Sequence, residues 1–144
     1  MVRRPLVLVA LAALAAIAAA AACGKKAEPP KAAAPFKVQS VELGKSIGAN
    51  KRILKPATTF RPRDTIYAAI YTVGASPGVT MTATWKDAKG ATVADYSQTV
   101  TPVGPAATEF HVSNSKGWPV GKYTVTLAAV GAGTPQTSAY AVKR

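Results

Sequence analysis

VTMTATW, Val79 to Trp85, alternates without a break. Val79, Met81, Ala83 and Trp85 stand on one side of the alternation, and Thr80, Thr82 and Thr84 on the other. In an extended chain successive side chains point to opposite faces, and β-branched threonine suits a pleated, half-buried surface. The stretch predicts a strand with an apolar inner face and a hydroxyl-bearing outer one. KYTVTLAAV, Lys122 to Val130, repeats the device, with Tyr123, Val125, Leu127 and Ala129 opposed to Thr124 and Thr126. TIYAAIYTV, Thr65 to Val73, is apolar on both faces and predicts a central strand.

Outward from these three the pattern continues. ATVADYSQTV, Ala91 to Val100, follows DAKG, Asp87 to Gly90, a turn of hairpin length. TEFHV (Thr108 to Val112) and SAYAV (Ser138 to Val142) supply two more strands, and FKVQSVEL (Phe36 to Leu43) opens the sheet. About seven strands result, at intervals of roughly 10 to 18 residues. Turn signals separate them at Gly74 to Gly78, Pro102 to Pro105, Gly117 to Gly121 and Gly131 to Pro135. No segment after Phe36 keeps a helical spacing. The expected fold is all-β: residues 36–144 as one antiparallel sandwich of the immunoglobulin type, with an up-and-down barrel as the alternative.

GWPVGKYTVTL, Gly117 to Leu127, is similar to the penultimate-strand signature of bacterial immunoglobulin-like and fibronectin-III-like domains. The resemblance implies that Tyr123 ties its hydroxyl to a nearby backbone group, and that Trp85 is the large core residue of an earlier strand. FRPRDTIYAAI, the strand ending at Trp85 and GWPVGKY together resemble small proteobacterial lipoproteins carrying such a domain, over roughly Phe60 to Val142. Sandwiches host unrelated functions, so this likeness speaks to fold and not to activity.

The chain's beginning points the same way. Arg3 and Arg4 precede an uncharged run from Pro5 to Ala22, which ends in small residues just before Cys23. A basic start, an apolar middle and a small-residue cleavage zone mark an export signal over residues 1–22. The segment resembles a bacterial lipoprotein signal, its box reading Ala20, Ala21, Ala22, Cys23, with Ala20 where the family has leucine. The likeness implies cleavage before Cys23 and lipid attachment to it, and several acyl chains together give stable anchoring where one does not. Gly24 after the cysteine implies the outer membrane, on its periplasmic face, more than the inner. Cys23 is the only cysteine, so no intramolecular disulfide forms and the folded part stands on its apolar core. GKKAEPPKAAAP (24–35), which with Cys23 forms the tether 23–35, has no periodic apolar face. It is expected to be a semi-extended spacer reaching roughly 35 to 40 Å.

Charge is uneven. From Cys23 to Arg63 ten basic residues stand against two acidic; from Asp64 to Arg144 six stand against four. The densest basic stretch is KRILKPATTFRPR, with Lys51, Arg52, Lys55, Arg61 and Arg63. These five form a candidate polyanion-facing patch, read as a strand edge and a loop. The opposing reading is a solvated face whose charges prevent edge pairing. Anionic lipid, lipopolysaccharide or an envelope protein are the expected partners, each basic residue near an anionic membrane contributing about 1 kcal/mol. The exported location and the lack of a reading helix or aromatic platform argue against nucleic acid.

Candidate chemistry is sparse. His111 points opposite to Phe110 and Val112 and is expected to face solvent; one histidine without a partner cysteine or histidine does not make a metal site. The six carboxylates, Glu28, Glu42, Asp64, Asp87, Asp95 and Glu109, form no close motif, and Asp87 belongs to its turn. SNSK, Ser113 to Lys116, has the Ser-x-x-Lys spacing of penicillin-binding enzymes but sits in an apparent loop, where that chemistry needs a helix start. No phosphate loop, calcium loop or nucleotide fingerprint occurs. The expectation is therefore a non-catalytic protein with no metal and no cofactor beyond the lipid on Cys23. It would act as a binding or accessory module of the cell envelope. A structural or assembly subunit of an outer-membrane or secretion complex is the alternative, followed by a small periplasmic inhibitor or carrier.

Overall fold

The computed structural model describes residues 34–144; the expected signal, Cys23 and the spacer as far as residue 33 lie outside the described residues. Eight strands form: β1 (Lys37–Gly44), β2 (Thr59–Phe60), β3 (Ile66–Val73), β4 (Val79–Asp87), β5 (Thr92–Val100), β6 (Ala106–Val112), β7 (Gly121–Ala129) and β8 (Gln136–Val142). All seven strands expected from alternation are present, each boundary within two residues of the reading. The eighth, β2, lies inside the basic stretch. No helix occurs among the described residues.

The strands divide into a three-stranded sheet, β1-β3-β6, and a five-stranded sheet, β2-β8-β7-β4-β5. Every pairing is antiparallel except β2 with β8, which is parallel. β1 and β2 belong to different sheets, so the chain crosses between layers along one margin. At the other margin β5 and β6 are unpaired with each other. Both sheets stay open, and the fold is a sandwich, not a barrel.

The alternation in β4 is the reason the layers stick. Met81, Ala83 and Trp85 are wholly buried and Val79 nearly so, while Thr80, Thr82 and Thr84 are half-exposed. Opposite them on β3, Ile66, Ala68 and Ile70 close the core from the other layer. With Phe60, Val125 and Val142 these residues leave water completely, each large apolar side chain contributing roughly 1.5–3 kcal/mol. Tyr123 Oη donates to the Pro119 carbonyl at 2.8 Å, as the resemblance implied. Its ring stacks on Tyr140 (centroids 5.4 Å apart), which meets Phe60 edge-on. This aromatic row also anchors β2, since Phe60 is the buried half of that short strand.

Strand direction sorts the loops into two ends. Ala34 to Phe36 and the loops 74–78, 101–105 and 130–135 gather at one, called proximal below. The loops 61–65, 88–91 and 113–120 and the C-terminus gather at the other, the distal end.

Candidate functional site

Residues 45–58, between β1 and β2, build a short antiparallel arm. The Lys45 N–H donates to the Lys55 carbonyl, the Leu54 N–H to Ser46 and the Gly48 N–H to Arg52, all at 2.9 Å. At its tip Lys51 takes φ 62°, the one non-glycine residue in the left-handed region among the described residues. A side chain there costs about 1–2 kcal/mol, so tertiary contacts must hold it.

Those contacts lie on the outer face of β3, which explains why that strand is apolar on both sides. Tyr71 Oη accepts from the Ile53 N–H at 2.9 Å and donates to Glu42 Oε2 at 2.8 Å. The Arg52 guanidinium sits 4.9 Å over the Tyr71 ring. Lys51 Nζ lies 3.4 Å from Glu109 Oε1, and His111 Nδ1 lies 3.1 Å from Glu109 Oε2. Register makes this possible: Glu42 and Glu109 flank Ala69 in one cross-strand row. Ala69 is fully buried although it points away from the main core. Burial pushes the Tyr71 phenol up, and the Glu42 carboxylate beside it adds to the shift.

The five basic residues singled out in the sequence are thus not one patch. Lys51 and Arg52 face the sheet through Glu109 and Tyr71, and Lys55 is exposed on the arm. Arg61 and Arg63 are exposed at the distal end, in the loop after β2. That loop is shaped by Asp64, whose Oδ2 accepts from the Arg61 N–H and meets Lys45 Nζ, both at 2.9 Å. The backbone donor first, and then Lys45, hold the Asp64 carboxyl below its usual range.

Sequence-distant residues join Arg61 and Arg63. Lys89 lies in the β4–β5 turn, Lys116 in the β6–β7 loop and Lys143 and Arg144 at the end of the chain, all exposed and all distal. A linear charge count missed this grouping; assigning each loop to an end by strand direction would have found it. Beside these residues opens a cleft of about 510 Å³ lined by Asp87, Lys89, Asn114, Trp118, Lys122 and Tyr123 among others. Trp118 is pinned by its backbone N–H, which donates to the Pro62 carbonyl (2.7 Å), and by its ring edge against Tyr123. SNSK sits on the rim of this cleft, in a loop.

A second groove, about 360 Å³, runs along the open margin between β5 and β6, lined by Tyr96, Gln98, Glu109, His111 and Ser113. β5 is exposed along most of its length, and Gln98 Nε2 donates to the Glu109 carbonyl at 2.9 Å. His111 is exposed, beside the Tyr67 ring. No group of three or more His, Cys, Asp or Glu side chains gathers to hold a metal ion among the described residues. What the distal end offers is cationic charge beside a cleft, a setting for anions held by ion pairs and charge-assisted hydrogen bonds.

No protein-family model matches the chain, and no curated protein matches it.

Proposed function

We propose that this chain is a lipid-anchored, non-catalytic protein of the cell envelope. Its immunoglobulin-like sandwich serves as a binding or accessory module for an anionic envelope partner. The lipid is carried by Cys23, and Gly24 after it favours the periplasmic face of the outer membrane over the inner membrane. The observation that supports this best is the collection of exposed cations at the distal end, remote from the end at which the chain joins β1. A domain tethered at one end and cationic at the other is suited to bridging a membrane and a negatively charged ligand. Lipopolysaccharide, anionic lipid headgroups and an acidic protein surface share that chemistry.

The exposed edge strand β5, paired with β4 on one side only, and its groove favour a second reading, an assembly subunit that receives a strand from a neighbouring envelope protein.

The test uses protein extracted from membranes. Intact mass should show cleavage before Cys23 with acyl chains attached, and Cys23→Ser should release or stall the protein. Arg61→Gln with Arg63→Gln should weaken retention on lipopolysaccharide vesicles about 30-fold at low salt, two charges at about 1 kcal/mol each. Its salt dependence should also flatten. Retention that is unchanged, or that falls only when Lys51 and Arg52 are replaced, would remove the distal end from the binding role.

A further inference from the structure

The proximal end is the chemical opposite of the distal one. Its loops read GASPG (74–78), TPVGP (101–105) and VGAGTP (130–135), with no charged side chain in any of them. Val103 is 91% exposed and Val130 65%, the two most exposed large apolar residues among the described ones. The chain also joins the domain here, and it is held in place as it does so. Pro35 bridges Ala75, Ala75 in turn bridges Val103, and the Ala75 N–H donates to the Ala34 carbonyl at 3.1 Å. Gly74, at φ 85°, lets the Ala34–Pro35 backbone pass so closely that a Cβ would strike both carbonyls. The segment arriving from Cys23 is therefore pinned two bridges from the most exposed valine.

We infer that the proximal end is a lipid-contacting surface. Val103 and Val130 dip into the headgroup boundary of the bilayer that Cys23 anchors, and the cationic end points away from it. The inference rests on the anchor proposed above and adds an orientation to it. Three features on this end select a bilayer as the occupant. The loops carry no charge to desolvate, and the two valines project from glycine- and proline-rich turns that leave them uncovered. The polypeptide leading to the expected lipid also starts from this surface. In such an interface apolar side chains gain by leaving water and a charged one loses. Lys37, exposed at the start of β1, has a long stem that lets its ammonium stay among the headgroups.

The experiment separates this orientation from the anchor itself. The full chain is coupled through Cys23 to a maleimide phospholipid in phosphatidylcholine vesicles, so that a tether exists whether or not the cell attaches one. Single reporter indoles are introduced by Val103→Trp or by Lys89→Trp, and vesicles with brominated acyl chains quench those they reach. Trp85 and Trp118 are buried and give both variants the same background. Quenching should be at least threefold stronger for Val103→Trp than for Lys89→Trp. Adding Val130→Asp should reduce the Val103→Trp quenching by half or more. Equal quenching of the two reporters, or stronger quenching of Lys89→Trp, overturns the orientation even on a tethered protein. An unacylated Cys23 in envelope-extracted protein would refute the anchor, and leaves the vesicle result free to count for or against the surface.

Discussion

The two sheets carry their outer faces differently. On the five-stranded sheet the outer face is a ladder of short hydroxyls: Thr80 meets Thr99 at 3.0 Å, Thr126 meets Thr137 at 2.9 Å, and Thr84 donates to Asp95 at 2.8 Å. Each pair joins neighbouring strands directly across the ladder, and water finishes the work. On the three-stranded sheet the same positions of β3 hold Tyr67, Ala69 and Tyr71, with Glu42 and Glu109 on either side of Ala69. These side chains are too large and too apolar to be left bare, and the arm 45–58 covers them. The difference teaches that an outer face of threonines is complete within its sheet. One of tyrosines and alanine calls for a cover, and the chain supplies it from a loop.

Lifting the cover is the strongest way to break this contrast. Gly44 ends β1 under the arm, and a side chain there would run into Ile53 and the Lys55 carbonyl. Gly44→Val is expected to lower stability by about 2–3 kcal/mol, as overpacking does. The urea midpoint measures it, and an unchanged midpoint would mean that the arm yields freely and is not a packed element. Tyr71→Phe comes next. It keeps the ring under Arg52 but removes the oxygen that serves both the Ile53 N–H and Glu42. Leaving those partners unmatched should cost about 1–3 kcal/mol. Amide exchange at Ile53 should quicken while that at Val125, deep in the other sheet, keeps its rank. Protection at Ile53 that survives the change would show the arm held by something other than Tyr71.

The sequence made the sandwich legible because burial follows period two in β4, β6, β7 and β8, and their alternation can be read from side-chain type alone. β2 was not legible for the same reason: two residues cannot display a period, and its partner β8 lies some eighty positions away in the chain. Tyr123 was readable from GWPVGKY, since its acceptor, Pro119, lies four residues back. The arm was not, because Lys51 and Glu109 are 58 residues apart and meet only through the register of three strands. TIYAAIYTV did carry a hint. A strand apolar on both faces implies a central one, which β3 is within its sheet, but the second apolar face also announces the arm. The basic stretch was misleading in a definite way. Its residues are contiguous in sequence, yet Lys51 and Arg52 meet the outer face of the sheet while Arg61 and Arg63 project from the distal end.

The smallest expected effect sharpens the comparison from the other side. Thr126→Val replaces a hydroxyl by a methyl of the same shape on a half-exposed position. Its partner Thr137 is exposed and can turn its own hydroxyl to water. Valine is as well suited to a strand as threonine. The change should therefore shift stability by no more than about 0.5 kcal/mol, and adding Thr137→Val should cost little more, because the bond between the two is already gone. Tyr71→Phe also removes a single oxygen, but there the stranded partners are a carboxylate and a backbone N–H under a loop. If Thr126→Val proved as costly as Tyr71→Phe, the hydroxyl ladder would be a cooperative network and not a set of separate pairs. The bare face would then depend on its neighbours as much as the covered one does.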